Sequence, residues 1–235
     1  MEIIRNDAKI KRYRQISQGA SLVGLVILSF GLFLAFTGNE AAIFYQWLVL
    51  IVGILLWQVA LNFSYKYVQR PRPDEVLDAS LKSATYKSYL YHHYLPASHV
   101  LLTRSGPIVL LPKSQTGKIS VVGNEKGDRW RRSGSLFKRL LGREPGLGNP
   151  TLEANVEISK LIKYIKEHAP ELDEIPIGAV VVFTKPNVSV EKDGPNIPVV
   201  EADELRKYIK KQLGRPLPPE QFRRLKAVFD EQVEE

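Results

Sequence analysis

The sequence contains no cysteine. That excludes disulfides, thiolate metal sites and cysteine nucleophiles, and it suits a reducing compartment. Charge is missing from two long stretches of the 235 residues: no Asp, Glu, Lys or Arg occurs from Gln18 to Asn39 or from Ala41 to Tyr65, and Glu40 alone separates them. With no ionisable side chain inside either stretch, a transporter or proton path has nothing to run on. There is no phosphate-binding glycine loop, no dinucleotide fingerprint and no zinc-ligand spacing.

What fills the uncharged stretches is apolar. Each reaches the roughly 20 residues needed to cross a hydrocarbon core. Joined by the polar link Thr37-Gly38-Asn39-Glu40, they read as a transmembrane hairpin with spans at about 18–38 and 42–64. Arg5, Lys9, Lys11, Arg12 and Arg14 precede the first span, Lys66, Arg70 and Arg72 follow the second, and the link has no Lys or Arg. The positive-inside rule then predicts a multi-pass protein of the plasma membrane with both termini cytoplasmic. A cleaved signal peptide is excluded by the long charged leader and the second span. Ala20, Gly24, Gly31 and Ala35 share one face of the first helix. Small residues allow close approach of backbones, here expected against the second span rather than another copy. Residues 1–17, with Ile3, Ile4, Ile10, Tyr13 and Ile16 among basic residues, read as an amphipathic helical leader on the inner leaflet.

The net charge of +8 is uneven. Residues 66–149 carry 15 basic and 6 acidic side chains, whereas residues 150–235 carry 13 basic and 16 acidic. A basic patch beside a bilayer points to anionic lipid head groups or to nucleic acid as partners.

The soluble part reads as α/β. Pro73 is placed to start a helix running to about Ser83, with Asp74 and Glu75 in its first turn. Strands are predicted within Tyr86–Leu95, over Ser98–Thr103, over Pro107–Leu111 (apolar on both faces, hence central) and over Lys118–Val122. Residues 123–149 form a glycine-rich basic excursion with a helical turn expected at 136–141. Asn149 caps a helix that has Pro150 at its first position. Ile177–Phe183 is a buried strand, 186–198 a loop, and 198–200 an edge strand. Helices follow over 203–213 and 218–234, so residues 66–200 form one domain and residues 201–235 a helical tail.

The order helix, strands, helix, strand resembles the αβββαβ core of restriction-endonuclease-like, PD-(D/E)xK nucleases. The residues resemble more narrowly the nuclease-related domain (NERD) family. They are Asp74-Glu75-Val76-Leu77, then Ser98-His99-Val100-Leu101-Leu102-Thr103-Arg104-Ser105-Gly106, then Ile108-Val109-Leu110-Leu111-Pro112-Lys113-Ser114-Gln115-Thr116-Gly117. Asn149-Pro150 and Val180-Val181-Val182-Phe183 extend the likeness over roughly residues 70–185. The resemblance implies that the family's helix glutamate falls on Glu75, its metal-binding aspartate on Ser98, its second metal-binding carboxylate on Leu111, its lysine on Lys113 and its second-helix glutamine on Glu153. Such nucleases hold Mg²⁺ with the two carboxylates, which activates the attacking water. A neutral hydroxyl and a leucine cannot do this. The expectation is a nuclease-like fold without nuclease activity or cofactor, serving as a nucleic-acid- or partner-binding module. The alternatives are an active nuclease with a rearranged Mg²⁺ site using Glu75, Lys113 and Glu153, and a structural membrane protein whose basic loop binds anionic lipid.

Outside the motif, the candidate binding residues are Lys126, Arg129, Trp130, Arg131, Arg132, Lys138, Arg139 and Arg143. Arginines around an indole can hold phosphates and stack a base. No metal site is expected from His92, His93, His99 and His168. His92 and His93 alternate across a strand and cannot grip one ion together. Ser98 and His99 alternate likewise, and no acidic residue orients them as a nucleophile and base.

Overall fold

The structure is a computed structural model. It describes residues 1–36, 40–82, 87–124, 127–133, 146–172 and 175–234. The hairpin link 37–39, Lys126, Lys138, Arg139, Arg143 and the expected helical turn at 136–141 lie outside the described residues. The chain divides into two compact units, Met1–Asn6 with Pro73–Glu235, and Asp7–Arg72.

The second unit is a pair of long helices, α1 (Asp7–Phe36) and α2 (Glu40–Tyr67), both long and apolar enough to cross a membrane. Leu22, Leu25, Phe33, Trp47, Ile51 and Leu55 are 57 to 65% exposed, which the core helix of a water-soluble protein would not tolerate. The buried residues of α1 are Ile10, Ser17, Gly24 and Gly31, one every seven residues. A seven-residue step keeps one seam facing a partner helix and favours left-handed crossing. A Cβ on Gly24 would lie 3.5 Å from Leu56, one on Gly31 3.0 Å from Val49, and one on Gly53 2.6 Å from Leu28. The glycines are therefore where the two backbones meet within one chain. Of the other expected seam residues, Ala20 is half-buried and Ala35 exposed. The Ser17 hydroxyl donates to the Ala60 carbonyl at 2.9 Å, and Tyr13 stacks on Phe63 and Tyr67.

The first unit is mixed α/β. Its main sheet has six strands: β1 (Glu2–Arg5), β2 (Tyr89–His92), β3 (His99–Thr103), β4 (Gly106–Lys113), β7 (Gly178–Phe183) and β9 (Val199–Glu201). They lie in that order, with β2, β3 and β4 antiparallel and the other neighbours parallel. A second sheet has the order β6 (Arg129–Ser133), β5 (Gly117–Val122), β8 (Val188–Asp193). Helices cover both faces of the main sheet. On one, α3 (Pro73–Leu81) and α5 (Leu205–Gln212) bury Leu77, Leu81, Leu205 and Ile209 against Leu90, Leu101, Leu110 and Val180. On the other, α4 (Pro150–His168) and α6 (Pro219–Glu234) bury Leu161, Ile165, Leu225 and Phe229 against Tyr91, Val100 and Val109. As expected, β4 is central and apolar on both faces. Asn149 caps α4: its side chain accepts from the Leu152 N–H at 3.1 Å, with Pro150 following.

Three expectations are corrected and a fourth is refined. Residues 2–5 are a strand rather than the start of an amphipathic helix. Two adjacent β-branched isoleucines suit a pleated edge, Ile4 packs into the core, and the Asn6 N–H extends the ladder to the His92 carbonyl at 3.0 Å. Lys118–Val122 is extended as expected, but within β5 of the second sheet. Residues 186–198 contain β8, whose Val188 and Val190 pack inward. The basic excursion contains β6, in which Trp130 and Arg132 alternate with Arg129 and Arg131.

Candidate functional site

The motif positions fall on opposite faces of β4. Lys113 ends the strand and reaches α4, where its ammonium donates to Glu153 Oε1 at 2.7 Å and to the Leu147 carbonyl at 3.2 Å. Its side chain is 8% exposed, that of Glu153 47%. A buried cation is held here by a half-exposed carboxylate and a backbone dipole, which offsets its desolvation. The segment 146–148 wraps over this pair. Gln115 donates to the Gly146 carbonyl at 2.9 Å, and Gly148 has φ +66°, with Glu153 Oε1 2.7 Å from where a Cβ would sit. Leu111, two residues earlier, faces the same way and packs beside the cluster of Val181, Phe183 and Ile119. Glu75 stands in the first turn of α3, the helix on the Leu110 face. Ser98 is exposed in the turn before β3, and its N–H donates to Glu157 at 2.8 Å. The fold thus joins Lys113 to Glu153, while Ser98 offers a neutral hydroxyl at the surface and Leu111 an apolar side chain. That donor set does not fit a divalent cation. Among the described residues no three His, Asp or Glu converge as metal ligands.

Four of the basic-excursion residues are described, and they divide by face. The Trp130 indole turns inward and donates to Thr151 Oγ1 at 2.9 Å. Thr151 in turn donates to Asp128 Oδ2 at 2.5 Å, and the Asn196 N–H donates to Asp128 Oδ1 at 3.0 Å. Trp130 also lies 6.4 Å from the Phe183 ring, so it serves as a core residue rather than an open stacking platform. Arg132 donates to the Thr116 carbonyl at 3.0 Å. Arg129 and Arg131 point the other way. Register places Ser120 and Glu191 in line with Arg131, and Val122 and Asp193 in line with Arg129, while Lys118 pairs with Glu191 at 2.7 Å. The exposed face of this sheet therefore carries both signs of charge.

The structure also assembles a buried polar cluster that the alternation argument missed. His92 Nδ1 lies 2.7 Å from His99 Nδ1, and His92 Nε2 lies 2.9 Å from Asp78 Oδ1. His93 has φ 63°, leaves the strand geometry, and brings its ring to 4.7 Å from that of His99. Arg5 at the end of β1 pairs with Asp74 at 3.0 Å and with Asp78. Only one proton fits between two ring nitrogens at 2.7 Å, so one histidine donates and the other accepts. All three imidazoles are buried, which makes the cluster a fastening between β1, α3 and the β2–β3 turn rather than a site open to substrate. His168 stands apart on α4, stacked on Tyr164.

No family model, curated protein or solved structure matches the chain.

Proposed function

We propose that the chain is a membrane-anchored, cytoplasm-facing module built on a NERD-like fold, that it lacks metal-dependent nuclease chemistry, and that it acts by binding nucleic acid or another partner. The observation that carries this reading is Lys113. It is committed to Glu153 and the Leu147 carbonyl while the two positions that should hold a metal are a surface serine and a half-buried leucine. Support for the fold comes from the run α3, β2, β3, β4, α4, β7, with β5 and β6 inserted before α4. Support for the hairpin comes from β1. Residues 2–5 lie beside 89–92 in one sheet, so the chain on either side of the apolar helices belongs to one folded body, and only an even number of crossings allows that. The basic flanks then favour the cytoplasmic side.

The rearranged nuclease is favoured by one observation, the meeting of Lys113 and Glu153. One experiment separates the two readings. Full-length protein in phosphatidylcholine nanodiscs is mixed with labelled single- and double-stranded DNA across a salt series, in EDTA or in excess Mn²⁺. Salt-sensitive binding without cleavage is the expected result. Cleavage lost in Glu153→Ala would establish the alternative. Neither binding nor cleavage would overturn the nucleic-acid arm and leave a protein or lipid partner.

A further inference from the structure

We infer that the first unit carries a second site, a groove for a soluble phosphorylated ligand with a flat apolar body, of the nucleotide kind. It lies between the β3–β4 turn and the start of α6, away from the positions Glu75, Ser98, Leu111, Lys113 and Glu153, and it stands whether or not the nuclease-like reading holds. The groove has a volume of about 940 Å³, within the range of small-molecule sites. Four cations line it: Lys87 ahead of β2, Arg104 in the β3–β4 turn, Arg215 in the connection between α5 and α6, and Arg223 at the start of α6. No carboxylate is among the described lining residues. Among the described residues, the side chains of Lys87, Arg104 and Arg215 meet no ion-pair or hydrogen-bond partner. By contrast, Lys118, Lys160, Arg224 and Lys226 each meet a carboxylate. Unneutralised like charges around one concavity repel one another, and a bound phosphate would relieve that repulsion.

The rest of the lining is apolar and stiff. Phe222, Leu217 and Pro176 supply surface for a planar ring. The walls are tied together: the Leu217 N–H donates to the Arg104 carbonyl at 2.7 Å, and the Ser105 hydroxyl donates to the Gly214 carbonyl at 3.0 Å. Pro216, Pro218 and Pro219 fix the backbone between α5 and α6. Gly106, at φ +120°, lets the turn press against Pro176, whose carbonyl would lie 2.7 Å from a Cβ there. A preformed cavity loses little ordering entropy on binding.

The test uses the full chain in neutral phosphatidylcholine nanodiscs, with mant-ADP in EDTA as the probe and fluorescence anisotropy as the readout. Binding is expected to weaken with salt and to be displaced by pyrophosphate. The surface double variant Arg104→Gln/Arg215→Gln is expected to weaken it at least tenfold. Arg129→Gln/Arg131→Gln, on the other sheet, should leave it unchanged. Phe222→Leu should weaken mant-ADP but not pyrophosphate, which has no ring. Failure of mant-ADP to bind, or binding indifferent to Arg104 and Arg215, overturns the site. Displacement of mant-ADP by nanodiscs containing phosphatidylglycerol overturns the soluble-ligand assignment. DNA binding that survives Arg104→Gln/Arg215→Gln keeps this result separate from the function proposed above.

Discussion

Replacing Arg5 with alanine takes one residue from a four-residue strand, yet the effect should be large. Arg5 is 24% exposed at its side chain and touches two carboxylates, of which Asp74 is 2% exposed. Removing one partner of a buried pair costs about 3–5 kcal/mol, because the remaining charge stays out of water. Asp78 keeps His92, so the loss falls mainly on Asp74. Arg5→Lys retains the charge but not the fork that spans two carboxylates, and should cost about 1–2 kcal/mol. The double variant Arg5→Ala/Asp74→Asn removes the buried charge together with its partner and should recover most of the loss. The measurement is urea unfolding of full-length protein in detergent, followed by Trp130 fluorescence in a Trp47→Phe/Trp57→Phe background. If Arg5→Ala loses under about 1 kcal/mol, or the double variant is no more stable than the single one, the clamp contributes nothing and the reasoning is wrong.

Three further outcomes are expected. Tyr91 donates to Asp230 at 2.7 Å, and burial first, then that hydrogen bond, raise its phenol well above the ordinary value. A raised folded value means stability that is complete below the unfolded value near 10 and falls by about 1.4 kcal/mol per pH unit above it. Base titration of Tyr91→Phe should lack that steepness, at a cost near neutrality of about 1 kcal/mol for the lost hydrogen bond. In the helical pair, Gly53→Ala must displace Leu28 and should cost about 1–2 kcal/mol by SDS titration in mixed micelles. Gly19→Ala, with open space around it, should not. At the motif lysine the two truncations should be unequal. Glu153→Ala leaves a buried ammonium and costs about 2–3 kcal/mol, while Lys113→Met leaves a half-exposed carboxylate and costs about 1 kcal/mol. Equal losses in thermal melts would refute the stapling role.

The parts of the fold that were legible are those whose signal is local. Two uncharged runs announce α1 and α2, the apolar run before Lys113 announces a central strand, and Asn149-Pro150 announces α4. β1 was hidden because four residues carry almost no pattern and their partners lie 87 positions on, Glu2 beside Tyr89. β6 and β8 were hidden for another reason: each buries only two side chains and stands among charges, glycines and prolines. The histidine cluster could not be read because alternation assumes a continuing strand. His93 turns into the left-handed region instead, and its ring meets that of His99. Trp130 was legible as a large aromatic among arginines, but which way it faced depended on β6 being a strand at all.

The early position of β1 in the chain sets an order of events during synthesis. Its four residues are made before both apolar helices, yet they have nothing to pair with until Tyr89–His92 has followed those helices. On the membrane reading, β2 then meets its parallel neighbour only if the hairpin has inserted with its two ends together. A chain inserted the wrong way would carry β1 across the bilayer. It would leave β2 as an open edge and Asp74 without its guanidinium, and so present a form that quality control can recognise. Sheet completion would in this way report on correct insertion.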